Sequence, residues 1–298
     1  MNRNSLLITA ALILVLGIGI YAMSRTAKTP APHSPAKLQI VASFYPMAFF
    51  AQQIAGDKAD VINITPAGAE PHEYEPSTQD IVKMEQANLI ILNGNVEPWG
   101  DSIQANLQNN SVHIITAGEG LGSADPHVWL DPILAKQEVQ KISDAITAID
   151  PSDSSFYAAN TVALLQKFDQ LDTAYKNGLA ICSSRDIVTS HAAFGYLAER
   201  YGLNQLAIAG LSPDEEPATK ALIDTAKFVQ GHNVKYIFFE SLVSPKLSQT
   251  IANETGAQTL ELNPLEGLTQ TEIGQGQDYF SVMYNNLYNL QLALSCTK

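Results

Sequence analysis

Three histidines of this sequence stand in tight loops or just after runs that read as strands: His72 in PAGAEPHEYEP, His127 in DPHVWLDP and His191 in VTSHAAFGYL. A fourth candidate, Glu266 in ELNPLEGLT, again follows a strand-like run. Three imidazoles and one carboxylate make a tetrahedral donor set of the kind that suits Zn2+. The four lie far apart in the chain, so spacing alone does not assemble them. Taken singly, each loop histidine also reads as a structural or exposed residue.

Competing chemistries leave weaker traces. A zinc metalloprotease needs His-Glu-x-x-His, which puts two imidazoles on one helix face beside a glutamate base. After His72-Glu73 the second histidine position is Pro76, so that motif fails. A zinc hydrolase with an open fourth coordination site stays possible, with Glu70, Glu73 or Glu240 as its base. Neither a Gly-x-Ser-x-Gly nucleophile turn nor a Gly-x-x-x-x-Gly-Lys phosphate loop occurs in the sequence.

The elements that must position these residues follow a regular rhythm. From Leu38 onward, β-branched runs (LQIVASF, DVINITP, LIILNG, VHIITAG) alternate with helical stretches, the pattern of parallel βαβ units. After a helix near 134–149, Leu164, Phe168, Leu171 and Tyr175 recur at the spacing of one long amphipathic helix, introduced by Pro151 and Ser152. The alternation then resumes with RDIVTS, NQLAIAG, KYIFFE and AQTLEL and ends in a helix. The expected fold is α/β: two lobes, each a mainly parallel sheet flanked by helices, joined by one long rigid helix. Its divisions are 1–37 (export signal or anchor plus flexible tether), 38–150 (N-terminal lobe), 151–179 (linking helix) and 180–298 (C-terminal lobe). Open α/β sheets take ligands beyond the carboxyl ends of their strands, which places the site in the cleft between the lobes.

Composition narrows the class of partner. Thirty acidic residues against 17 basic ones give a formal charge of -13, which disfavours nucleic acid and anionic membrane surfaces and tolerates cations. The start of the chain is a short basic region followed by an uncharged apolar run at 6–23, the pattern of an export signal that is nearly long enough to span a bilayer. Ala22-Met23-Ser24 leaves both cleavage and an uncleaved anchor open, and no cysteine nearby marks a lipoprotein. The Pro-, Ala- and Ser-rich stretch after it, with His33, reads as a tether. The two cysteines, Cys182 and Cys296, read as a disulfide or as two free thiols; neither has a neighbour at metal-ligand spacing.

The segments IVASFYPMAFFAQQIAGD, PAGAEPHEYEPS, NGNVEPW, DPHVWLDP, SHAAFGYLAERYGL, GLSPDEEP, IFFESLVSPK and LNPLEGLT, in this order, resemble the metal-binding subunits of bacterial zinc and manganese ABC transporters, the TroA-like or cluster A-I family. The resemblance covers nearly everything after Leu38. It implies two lobes around a metal ion, with His72 and His127 as the ligands of the first lobe and His191 as the first ligand of the second. The family's fourth ligand is often acidic at the position of Asn263; members with Asn-Pro-Leu-Glu use the Glu three residues on, which here is Glu266. Asn263 is then left as a possible hydrogen-bond partner of a ligating group. A disulfide between Cys182 and Cys296 is implied in the same way.

The function so implied is that of an exported, non-enzymatic solute-binding protein, periplasmic or otherwise extracytoplasmic. It would capture Zn2+ and pass it to the membrane permease of an ABC transporter, with a monomer expected and no nucleic acid. Mn2+ is the lesser cargo, because manganese carriers of the family replace the third histidine by a carboxylate. The short GEGLGSAD stands where many zinc-uptake members insert a His- and Asp-rich loop, so no scavenging loop is expected. The rival readings are the zinc hydrolase and a surface adhesin. Glu240 reads equally as a partner orienting a histidine and as the polar end of a buried strand. Asp125 and Asp131, which bracket His127, are each placed to fix its tautomer, but read first as solvent-facing loop carboxylates. His113 and His232 read as bystanders, and Trp99, Trp129, Tyr45 and Phe194 as core and cleft wall.

Overall fold

The computed structural model describes Asn2 and residues 37–122 and 124–297, so the apolar run at 6–23, the tether and His33 lie outside the described residues. Among the described residues no helix is long and apolar enough to cross a membrane.

The first half runs β1 (Leu38–Ala42), α1 (Tyr45–Ala55), β2 (Ala59–Asn63), α2 (Thr78–Gln86), β3 (Leu89–Leu92), α3 (Gly100–Asn106) and β4 (His113–Thr116). Its four strands are all parallel, in the order β2-β1-β3-β4. Two long helices follow, α4 (Pro132–Ile149) and α5 (Ser154–Gly178). The second half repeats the plan with β5 (Asp186–Thr189), α6 (Gly195–Tyr201), β6 (Asn204–Ala207), α7 (Thr219–Gly231), β7 (Tyr236–Phe239), α8 (Lys246–Thr255) and β8 (Gln258–Glu261). Its parallel sheet has the order β6-β5-β7-β8, and α9 (Gln270–Gly274) and α10 (Tyr279–Ala293) close the chain.

Side-chain alternation along the strands gives each sheet two covered faces. In the first sheet Ile40, Ala42, Leu89 and Ile91 join the largest core, while Val41, Ile90 and Leu92 join a smaller one under α2 and α3. The large core continues into the second sheet through Ile187 and Phe238, so one apolar cluster runs through both lobes. The long helix supplies its centre. Leu164, Phe168, Leu171 and Tyr175 are all buried along one stripe of α5, and Phe168 meets Phe50 of the first lobe at 5.7 Å and Tyr279 of α10 at 5.4 Å, edge to face.

Details differ from the sequence reading at a few ends. The long helix starts at Ser154 because Pro151–Asp153 forms a separate 3-10 turn. His113 is the first residue of β4, paired with Leu89. The short helix α9 was not anticipated; a reciprocal cap between Thr269 and Glu272 starts it. Cys182 and Cys296 are bonded across 114 residues, joining the segment that enters β5 to the one that leaves α10.

Candidate metal centre

The strand ends converge. His191 stands two residues past β5 and Glu240 one residue past β7, and these strands are neighbours at the point where the second sheet reverses its order. His191 Nδ1 lies 2.7 Å from Glu240 Oε1, its backbone N–H donates to the same oxygen at 3.3 Å, and the Ser190 hydroxyl donates there as well. The His191 carbonyl accepts from Thr189 Oγ1 at 2.7 Å and from Gln205 Nε2 at 3.1 Å, which fixes the turn that aims the ring.

His127 is held in a parallel way by its own loop. Asp125 Oδ1 accepts from the His127 backbone N–H at 3.0 Å and lies 2.7 Å from Nδ1. In both pairs the carboxylate accepts a hydrogen bond from Nδ1–H, so in the neutral ring Nε2 is the nitrogen that presents its lone pair. His72 comes in on a loop tied to the one that bears Glu266, by Gly68 N–H donating to the Leu268 carbonyl at 3.0 Å. Glu70 Oε1 accepts from the His72 backbone N–H at 3.2 Å.

Glu266 depends on an unusual turn. Leu265 before it has φ +58°, a left-handed conformation that costs a branched residue energy. The Asn263 side chain holds it there by accepting from Leu265 N–H at 2.8 Å, while Asn286 accepts from Asn263 N–H at 2.9 Å and donates to its carbonyl at 2.7 Å. Trp129, beside His127, donates its indole N–H to the Pro264 carbonyl at 2.8 Å and so ties the two ligand loops together.

The result is a compact cluster of His72, His127, His191 and Glu266, whose possible ligand atoms all lie within 4.8 Å of one another. Glu266 Oε1 is 3.3 Å from His72 Nε2, 3.2 Å from His127 Nε2 and 3.1 Å from His191 Nε2, and the last two nitrogens are 3.3 Å apart. A tetrahedron with Zn–N bonds of about 2.0–2.1 Å has edges of about 3.3–3.4 Å, close to all four of these. The contact from His72 is too poorly aligned for a hydrogen bond, although the atom is buried. Two lone-pair nitrogens at such a distance need a proton or a cation between them.

Electrostatics point the same way. Burial pulls the His127 imidazole down, but Asp125 and Glu266 more than offset it and the net shift is upward. For His191 burial is likewise outweighed, by Glu266 and Glu240, and the ring is held well above the ordinary range. Burial alone would raise Glu266, yet the three histidines, His191 foremost, hold it well below the usual carboxylate range. Burial and the charge of Glu266 push Glu70 up to about 9. The pocket is thus organised to receive positive charge.

Several expectations need correction. Neither Asp125 nor Asp131 is a simple solvent-facing carboxylate: Asp125 orients His127, and Asp131, 2% exposed, caps α4 through Ile133 N–H and pairs with Arg200. Asn263 turns its amide to Ser241 and Glu272 and its oxygen to Leu265, so it braces the turn rather than a ligating group. Glu73 lies at the rim, facing Asp214. His113 is exposed, and His232 pairs with Asp186 at 2.8 Å and stacks on Phe228. Trp99, Trp129 and Phe194 are core residues. Sequence reasoning missed Ser190, Tyr196 and Arg200, which no motif marks.

Two parallel α/β lobes on a common long helix, with a three-histidine, one-glutamate cluster between them that could hold a metal ion, define a two-lobed α/β protein with a candidate metal centre. The sequence pattern of the family described as zinc-uptake complex component A, periplasmic (ZnuA), matches residues 40–293, and the chain belongs to that family. It is 35% identical over 309 residues to the high-affinity zinc uptake system protein ZnuA of Bacillus subtilis, covering 96% of each chain. It is 39% identical over 277 residues to the zinc-binding lipoprotein AdcA of Streptococcus pneumoniae, covering 86% of this chain and 55% of that protein, so it spans about half of AdcA. The crystal structure of the Zn(II)-bound ZnuA-like domain of Streptococcus pneumoniae AdcA is similar with a TM-score of 0.78 and 40% identity, over 87% of this chain and 99% of that one.

Proposed function

We propose that the chain captures Zn2+ between its lobes, outside the cytoplasm, and hands it to the permease of an ABC transporter without chemically changing anything. His72 and His127 of the first lobe and His191 and Glu266 of the second would be the four ligands, with Asp125 and Glu240 orienting two of the imidazoles. The observation that carries this reading is the set of edges of 3.1–3.3 Å around Glu266 Oε1, the size of a zinc tetrahedron.

Zinc enters as cargo. The neutral imidazoles supply nitrogen donors, which favour Zn2+ over Mn2+ in the divalent series, and Glu266 offsets part of its charge in a site closed to bulk water. Four protein donors fill a tetrahedron, leaving no position for an activated water, which sets this reading above the hydrolase. Division of the ligands between lobes gives a route for release, since parting the lobes removes two donors from either side. The segment before residue 38 would serve as export signal, and as tether if it is retained.

Competitive titration against a chelator tests the assignment. One zinc per chain is expected, with His72→Ala, His127→Ala and His191→Ala each weakening binding by ~100-fold or more while the circular dichroism spectrum stays the same. A histidine whose removal leaves the affinity unchanged is not a ligand.

A further inference from the structure

We propose that α6 of the second lobe clamps the His127 loop of the first, which makes Gly195 and Tyr196 positioning residues for His127. The proposal rests on the reading of His127 as a zinc ligand.

Tyr196 and Arg200 lie one helical turn apart on α6 and reach the two ends of the segment DPHVWLD. The Tyr196 hydroxyl donates to the Asp125 carbonyl at 3.0 Å. Arg200 Nε donates to both oxygens of Asp131, at 3.0 and 2.8 Å, and a second guanidinium nitrogen is 2.8 Å from Oδ2. The loop is therefore gripped on both sides of His127 by one short helix of the other lobe.

Two glycines make the grip possible. A Cβ on Gly195 would come within 2.9 Å of Asp125 Oδ2, closer than side chains pack. That carboxylate is the one whose Oδ1 holds His127 Nδ1. On the loop side, a Cβ on Gly122 would meet the Tyr196 hydroxyl at 2.1 Å. Nothing about zinc ligation itself demands a residue without a side chain at either place; the close approach of helix and loop does. With α6 seated, Asp125 is confined between Gly195 and the imidazole, and His127 Nε2 is aimed at the centre. When α6 and the loop part, Asp125 is free to turn toward water, since its side chain already has 20% exposure. Lobe apposition and the quality of His127 as a ligand are thereby coupled.

A double-mutant cycle on the full chain tests this, with zinc affinity read by chelator competition. Gly195→Ala should weaken binding by about tenfold, in the range for loss of a histidine's carboxylate partner. In an Asp125→Ala background, where the obstructed carboxylate is gone, the same change should cost less than about twofold. The His127 Nδ1 proton, followed by NMR in the zinc-loaded protein, should move upfield and exchange faster in Gly195→Ala. Tyr196→Phe, which removes one oxygen and keeps the ring, should weaken binding by about fivefold. Wild-type affinity and an unmoved Nδ1 proton in Gly195→Ala, or a loss that persists in full on Asp125→Ala, would overturn the clamp. Should Gly195→Ala not fold, Tyr196→Phe decides by itself, and wild-type affinity there overturns the proposal. His127→Ala serves as the reference: if it binds zinc normally, the ligand assignment is at fault and not the clamp.

Discussion

Glu240 reaches across the reversal point of the second sheet to His191, with Oε1 2.7 Å from Nδ1. Neighbouring strands β5 and β7 deliver the two groups, so the orientation of the ligand is built into the sheet itself. Glu240→Gln keeps the shape but weakens the acceptor for the Nδ1 proton. It should lower zinc affinity by about tenfold, and it should also lower metal-free stability below the raised His191 value, where the imidazolium loses a charged partner. Chelator competition alongside thermal melts checks both halves of the expectation.

The raised imidazoles set the pH dependence. Zinc must displace the protons that His127 and His191 hold above their ordinary range, so affinity should fall with pH from above 6.5 downward. For the metal-free protein the sign is opposite. Imidazolium paired with Glu266 contributes stability that is full below 6.5 and is lost as pH rises through the raised values. Glu266, with its lowered value, contributes above 4.5 and loses that contribution as pH falls through its folded value. Melting curves from pH 4 to 9 should therefore show the zinc-induced gain in Tm growing with pH.

Asn263 and Glu266 should fail in different ways. Asn263→Ala leaves the buried N–H of Leu265 without its acceptor and frees a left-handed turn, at about 1–3 kcal/mol of stability. Its effect on zinc should follow indirectly and be the smaller one. Glu266→Ala removes the oxygen that faces all three imidazoles and should weaken zinc strongly while admitting a water ligand. Paired melts and titrations separate the two. A larger zinc loss for Asn263→Ala would show that the fourth donor was misassigned.

The disulfide acts on the fold and not on the centre. Cys182 and Cys296 close a loop of 114 residues, which in the chain-entropy account contributes about 4–5 kcal/mol. The bond joins chain segments at the end of the second lobe away from the strand termini that carry the ligands. Cys182→Ser with Cys296→Ser should lower Tm by about 10 °C or more and leave zinc affinity within about twofold. A large loss of affinity would show that the bond also holds the site.

Much of this was legible because local patterns dictate it. Runs such as LIIL and DIVT are β-branched or leucine-rich and short, and each became a strand. The stripe from Leu164 to Tyr175 has only one way to be buried as a helix. Residue type alone marked His72, His127, His191 and Glu266 only as candidates; the resemblance to the metal-binding subunits singled them out, and the structure brings them together. What stayed hidden depends on contacts between distant segments. Whether Asp125 orients His127 or faces solvent stayed undecided because nothing local shows that Nδ1 of His127 lies against it, and the bracing role of Asn263 stayed hidden because the need of Leu265 for a left-handed φ is invisible before the turn is built. Tyr196 and Arg200 meet residues 71 and 69 positions away, a pairing that no periodicity encodes.

X-ray absorption at the zinc edge, on the chain loaded with one equivalent of metal, reads the number and type of the four donors. A four-coordinate ion with three imidazole nitrogens and one carboxylate oxygen at about 2.0–2.1 Å is expected, with loss of one imidazole contribution in each histidine variant. A shell with fewer than three imidazoles, or one of five or six oxygen-rich ligands, would contradict it.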